Sequence, residues 1–196
     1  MFLLGLTGSI GMGKSTTAAM FAEEGCAVWD ADAAVHRLYA AGGDAVPAFQ
    51  ELFPEAIVDG AVSRPKLKDI IAADPSALKQ IEQIVHPLVG QDRATFLSKA
   101  SADIIVLDIP LLFETGGDAR MDAVAVVIVS PEIQQDRVLA RGSMTQEQFE
   151  TIRDKQMPAT EKAARADYVI TTDTLEHARA QVQDVVANIR EKIANA

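Results

Sequence analysis

The 196-residue chain has little of several things, and each shortage narrows the field. It has one cysteine, Cys26, so no internal disulfide can form, which excludes the disulfide-stapled secreted scaffolds and fits a reducing compartment. Cys26 leads into Ala27-Val28-Trp29, an apparent strand, and reads as a packed thiol rather than a reactive one. The three histidines and the single cysteine form no ligand cluster with metal-site spacing. Basic residues are outnumbered, 18 against 28 acidic, giving a net charge of −10. Such a chain repels nucleic acid and anionic membrane surfaces unless it carries a local basic patch. No apolar run approaches the roughly 20 residues that span a bilayer. The apolar run at 2–7 has no basic stretch before it and leads directly into a glycine-rich loop, so no secretory signal is expected. Internal repeats and low-complexity tracts are also missing.

What the chain does have is enough apolar content, 48% with 23% charged, for one ordinary core with insertions. Its most informative stretch is Gly8-Ser9-Ile10-Gly11-Met12-Gly13-Lys14-Ser15, followed by Thr16. This fits the G-x-x-x-x-G-K-[ST] phosphate loop, and the context is right: an apolar strand at 2–7 before it, a helix-forming run after it. A dinucleotide fingerprint fits less well, because its third glycine would fall at Thr16 and Lys14-Ser15 is foreign to it. Glycines let backbone N–H groups curl inward at phosphate oxygens, and a helix opening near Gly13 adds its unpaired amides and positive dipole end. Lys14 can reach the β- and γ-phosphates of ATP, and the Ser15 hydroxyl can hold Mg²⁺.

Asp30 and Asp32 stand at the carboxyl end of the second strand, where ligands bind in open α/β sheets. Two readings stand for the pair: helix capping, or a carboxylate that accepts a hydroxyl proton. Residues 36–100 show helical patterning without a strand signal, with the stretch 54–63 irregular. Ser63 caps a helix over 64–73. Leu78, Ile81, Ile84 and Val85 form an apolar stripe interrupted at His86-Pro87, and helix resumes over 88–99. His86 is either a hydrogen-bonded residue at this break or part of a site. The run 102–108 is a buried strand ending on Asp108, which either orients Mg²⁺ through water or caps the next turn. The clearest buried strand is 123–129. Ser130-Pro131 then starts a helix carrying Arg137 and Arg141 on one face. Thr145 and Gln148 make a capping box, and that helix stops near Gln156-Met157-Pro158. Between 137 and 165, six basic residues face four acidic ones, a local reversal that suggests a lid closing over triphosphate. A last strand, 167–171, leads through a capping box read at Asp173-Thr174-Leu175-Glu176 into a final amphipathic helix, whose His177 has no evident task.

Taken in order, these motifs resemble the dephospho-coenzyme A kinase family. The likeness covers nearly the whole chain and rests on residues 6–16, Asp30-Ala31-Asp32, His86-Pro87, Pro110-Leu111-Leu112-Phe113-Glu114, Arg137 with Arg141, Gln156-Met157-Pro158, and Ala166-Asp167-Tyr168-Val169-Ile170. It implies an α/β phosphate-loop kinase fold: a five-stranded parallel sheet core over 1–35, 101–135 and 157–196, a helical acceptor-binding insertion over 36–100, and a lid over 136–156. It also implies transfer of the γ-phosphoryl of ATP to the ribose 3′-hydroxyl of dephospho-coenzyme A; with the Mg²⁺ expected at Ser15 and the lone cysteine, the expectation is a cytoplasmic monomer or weak homo-oligomer with small-molecule partners only. On this resemblance Asp32 takes the hydroxyl proton, and Gly11, Met12, Gly13, Lys14, Ser15 and Thr16 bind ATP. Arg141 meets the transferring phosphate with Arg137 nearby. His86, Pro110, Leu111 and Glu114 line the acceptor site. The family commonly carries Asp-Asn where this chain has Thr171-Thr172, and an acidic turn where it has Gly142-Ser143-Met144. The alternatives are another small-molecule or nucleotide kinase of the same fold, or a nucleotide-dependent switch. Candidate arginines within the chain itself weigh against the switch.

Overall fold

The structure, a computed structural model, describes residues 1–195. It contains strands β1 (Phe2–Thr7), β2 (Ala27–Asp30), β3 (Ile57–Val58), β4 (Ala61–Val62), β5 (Ile104–Asp108), β6 (Ala123–Ile128) and β7 (Tyr168–Thr171). The helices are α1 (Lys14–Glu23), α2 (Ala31–Tyr39), α3 (Val46–Leu52), α4 (Arg64–Ala73), α5 (Ala77–Lys99), α6 (Pro131–Ala140), α7 (Gln146–Lys155), α8 (Ala159–Arg165) and α9 (Leu175–Ala194). The chain divides into two compact units, one made of residues 1–29 and everything from Ala100 onward, the other of Asp30–Lys99.

The first unit is the expected five-stranded parallel sheet, in the order β2-β5-β1-β6-β7. Placing β1 at the centre explains its composition: buried on both faces, it has no polar face to alternate with. Its residue Leu6 lies opposite Asp108 on β5 and Ala125 on β6, so the loop leaving β1 emerges beside Asp108. Leu4, Leu6, Val106, Ala125, Val127 and Ile170 build the core with Phe21 of α1 and Val182, Val186 and Ile189 of α9. Cys26 belongs to this core. Burial pushes its thiol up to about 11, against the lowering pull of Arg190, so it stays neutral as a packed thiol should.

The second unit corrects two expectations. Helix does not break at His86-Pro87: α5 runs through Pro87 without interruption. A proline inside a helix costs about 3 kcal/mol. On either side of it, however, Ile81 and Val85 are buried, and Ile84, Leu88 and Val89 are partly buried, against the unit's own core of Phe49, Phe53 and Leu67. Fully burying one such side chain contributes about 1.5–3 kcal/mol, so the continuous stripe outweighs the proline. Nor is the stretch at 54–63 irregular. Ile57–Val58 and Ala61–Val62 pair as an antiparallel hairpin across Asp59-Gly60, both at positive φ (50° and 75°). Asp-Gly between short apolar pairs is a signature of that two-residue turn, so the signal was present in the sequence.

Caps read from sequence hold at Ser63, Ser130 and Thr145, the last with the full reciprocal box. At the final helix the cap lies one residue later than expected: Thr174 accepts from His177 N–H, while Asp173 lies outside the helix and pairs with the His177 ring at 2.8 Å.

Candidate active site

The phosphate loop folds as a turn followed by a helix start. Met12 N–H donates to Ser9 C=O at 3.2 Å, closing a turn in which Gly11 has φ +78°. Gly13, at φ +85°, is the N-cap of α1 and has no side chain to occupy the first-turn amides. A Cβ at Gly11 would meet Val138 Cγ2 at 2.5 Å and the Gln134 backbone oxygen at 3.0 Å, so α6 packs directly on the loop. These features suit an anion cradle: glycine where backbone or shape demands it, and a helix start whose N-cap offers no side chain to its first amides.

Lys14 Nζ is bonded to Asp108 Oδ1, and Asp108 is 1% exposed. The bond ties the loop lysine to the carboxylate at the end of the neighbouring strand. Thr7, the last residue of β1, donates its hydroxyl to Pro110 C=O at 3.0 Å, which fixes the backbone just beyond Asp108. Ser15 is exposed on the first turn of α1. Beside the loop lies a cavity of about 390 Å³ whose lining includes Gly13, Thr16, Arg137, Arg141, Thr172 and Leu175. The loop's glycine, its following threonine and both predicted arginines therefore share one concavity. A larger cavity of about 680 Å³ has Ser9 and Met12 of the loop in its lining, and Met12 is its one predicted site residue.

The family model for dephospho-CoA kinase (CoaE) matches residues 2–177. The chain belongs to the dephospho-CoA kinase family. It is 70% identical to a dephospho-CoA kinase of Ruegeria pomeroyi over 189 residues, 96% of either chain. To a dephospho-CoA kinase of Cereibacter sphaeroides it is 60% identical over 190 residues, covering 97% of this chain and 96% of that one. A crystal structure from Thermus thermophilus superposes with a TM-score of 0.86 at 34% identity, covering 95% and 96% of the two chains.

In this dephospho-CoA kinase family member the two predicted arginines are differently placed. Arg137 donates to Thr172 twice, to its hydroxyl at 3.2 Å and to its carbonyl at 2.6 Å. Thr172 in turn donates its hydroxyl to Met12 C=O at 2.8 Å. Thr172 thus bridges the phosphate loop to Arg137, a role sequence reading missed. Arg141, at the end of α6, is exposed, and its side chain makes no hydrogen bond or ion pair among the described residues.

Asp32 and His86 both belong to the unit at 30–99, and both are exposed, on the first turn of α2 and on α5. The capping question raised by the aspartate pair has an answer: Asp30 Oδ1 accepts from Ala33 N–H at 2.9 Å and caps α2, leaving Asp32 without that duty.

The stretch at 110–114 is tied into the first unit. Glu114 accepts from Met157 N–H at 3.0 Å and pairs with Lys162 at 2.9 Å, while Lys162 is wholly buried and also donates to Pro110 C=O at 3.4 Å. Leu111 projects outward, 43% exposed. Burial alone would raise the Glu114 pKa, but its bonds from Lys162 and from backbone amides outweigh that and hold it below the ordinary carboxylate range. With the folded value lowered, the pair contributes fully above the ordinary glutamate value of about 4.3 and is lost as pH falls through the lowered value. Glu114→Ala leaves a buried cation uncompensated, a cost of about 3–5 kcal/mol and hence roughly 6–20 °C in Tm at neutral pH. The gap from the parent should shrink as the pH of a thermal scan drops below about 4. Equal Tm at neutral pH would contradict this role.

Proposed function

We propose that this chain transfers the γ-phosphoryl group of ATP to the ribose 3′-hydroxyl of dephospho-coenzyme A, releasing ADP and coenzyme A. The observation that carries the reading is a phosphate loop folded as an anion cradle, in a chain whose curated relatives are dephospho-CoA kinases along nearly all its length.

Phosphoryl transfer asks the protein mainly for positioning and charge neutralisation. The amides of residues 11–16 and the dipole of α1 hold the β- and γ-phosphates. Lys14 exchanges its bond to Asp108 for the triphosphate, a stronger anion in reach of the same flexible stem. Adenosine occupies the cavity of about 390 Å³ between Thr16, Arg137 and Leu175. Asp32 takes the proton from the 3′-hydroxyl as its oxygen bonds to the γ-phosphorus, and the bond from that phosphorus to the bridging oxygen of ADP breaks. Arg141, on the segment 136–156 acting as a lid, neutralises charge on the transferring group. His86, Pro110, Leu111 and Glu114 contribute to binding the acceptor.

The donors present fit Mg²⁺. Ser15 offers a hydroxyl and Asp108 a carboxylate, both hard oxygen ligands, and the remaining positions suit phosphate oxygens and water. Among the described residues no group of three or more His, Cys, Asp or Glu could hold a metal ion. Bound there, Mg²⁺ supplies charge neutralisation for the phosphates. We place the protein in the cytoplasm, where a single buried thiol with no disulfide partner is at home. Among the described residues no helix is long and apolar enough to cross a membrane.

An acceptor screen tests the assignment. With ATP and Mg²⁺, dephospho-coenzyme A should be consumed with stoichiometric ADP, giving coenzyme A phosphorylated at the 3′ position. Turnover of nucleoside monophosphates or of another small alcohol, with dephospho-coenzyme A untouched, would overturn it.

A further inference from the structure

We propose that Gln134 is a positioning residue that locks the central peptide of the phosphate-loop turn, that Gln156 holds the peptide just before it, and that together they set the loop for triphosphate before it binds. The inference rests on the phosphotransfer reading of the loop. The turn at residues 9–12 has Ile10 and Gly11 at its centre, and φ +78° at Gly11 is the third-position value of a type II turn. Types I and II differ by a half-rotation of the central peptide, here the unit joining Ile10 C=O to Gly11 N–H. A glycine at that position accepts either form with little steric penalty, so the loop needs something else to choose.

Gln134 makes the choice, and Gln156 holds the Ser9–Ile10 peptide that leads into it. Gln134, 3% exposed on α6, donates Nε2–H to Ile10 C=O at 2.7 Å. Gln156, at the junction of α7 and α8, accepts Ile10 N–H on Oε1 at 3.1 Å. The partners dictate the carboxamide orientations, since an N–H can only meet the oxygen and a carbonyl only the amide nitrogen. None of the described peptides is cis, so a carbonyl of Ile10 aimed at Gln134 turns Gly11 N–H away from α6. Flipping the peptide would break the Gln134 bond and point a carbonyl where an anion must sit. Both glutamines lie on the segments that flank or form the expected lid, so their bonds also join that segment to the loop.

The two roles are chemically opposite, which makes the test specific. Gln134 acts only as a donor, and Gln156 only as an acceptor. Gln134→Met keeps the side chain's length and fits an apolar surrounding, yet removes the donor. Losing such a bond should weaken ATP binding roughly five- to tenfold by titration calorimetry, and raise KM for ATP more than it lowers kcat. Adenosine, which lacks the phosphates, should bind the variant and the parent equally. Amide hydrogen exchange of the nucleotide-free protein reads the other half: Ile10 N–H should exchange faster in Gln156→Met, and stay protected in Gln156→Glu, which keeps an acceptor oxygen. Unchanged ATP affinity in Gln134→Met would overturn the proposal. So would equal weakening of ATP and adenosine, the mark of a packing role, or exchange at Ile10 that is the same in all three proteins. If the parent itself bound adenosine but not ATP, the reading of the loop would fail instead, and the Ile10 exchange pattern would still report on the clamp.

Discussion

Asp32→Asn should lower turnover by at least about 10²-fold while leaving ATP affinity nearly intact, the usual scale for a removed general base. The substitution is isosteric and keeps a hydrogen-bond acceptor, so the acceptor alcohol can still be held, but an amide cannot take its proton. The fold argues that the loss would be chemical. Asp30, not Asp32, caps α2, and Asp32 is exposed. Removing one charge from the first turn of a helix costs only about 0.3–1 kcal/mol through the dipole, too little to unfold a domain. Asp30→Asn is the matching control, because asparagine caps a helix as well as aspartate does. It should leave turnover close to the parent's. Steady-state kinetics with both substrates varied separates these outcomes: turnover unchanged in Asp32→Asn removes Asp32 from the role, and equal losses in both variants would point to the helix rather than to the base.

Arg141→Ala is the second large effect. An arginine that meets the transferring phosphoryl group stabilises charge that exists fully only in the transition state, and such arginines contribute about 10³–10⁵-fold in related phosphotransfer systems. On the proposed mechanism Arg141 shares this work with Lys14 and the loop amides, so a fall in kcat of roughly 10²–10³-fold is expected, with KM for the acceptor little changed. The contrast with Arg137 sharpens this. Arg137 is bound to Thr172 and through it to Met12 C=O, so Arg137→Ala should disturb the loop and raise KM for ATP instead. Melting temperature should hold for Arg141→Ala, whose side chain is exposed. Unchanged kcat would leave Arg141 a surface residue.

Much of this was legible in the sequence because it is local. The phosphate loop needs a strand, glycines at fixed offsets and a helix start, all within about fifteen residues. The strands at 104–108 and 123–128 are continuous apolar runs, and Ser63, Ser130 and Thr145 announce their helices by chemistry three residues long. What sequence reading missed depends on partners far along the chain. Pro87 looked like a stop because propensity was weighed without the apolar stripe on both sides of it. The partners of Glu114, Lys162 and Met157 N–H, stand more than forty residues away, so its buried ion pair could not be read from the sequence. Gln134 carries no signal in the sequence and Gln156 only that of a helix stop, and only the fold brings both onto Ile10. The Asp59-Gly60 hairpin is a different kind of miss, since its turn chemistry was there to be read.

The central claim is that a cradle around Lys14 holds the triphosphate while Asp32 receives the acceptor's proton. A crystal structure with a non-hydrolysable ATP analogue, Mg²⁺ and dephospho-coenzyme A tests it most directly. The account predicts an Asp32 carboxylate oxygen at about 2.6–3.2 Å from the ribose 3′-hydroxyl, with that hydroxyl facing the γ-phosphorus in line. Asp32 turned to solvent, with a different carboxylate on the hydroxyl, would contradict it.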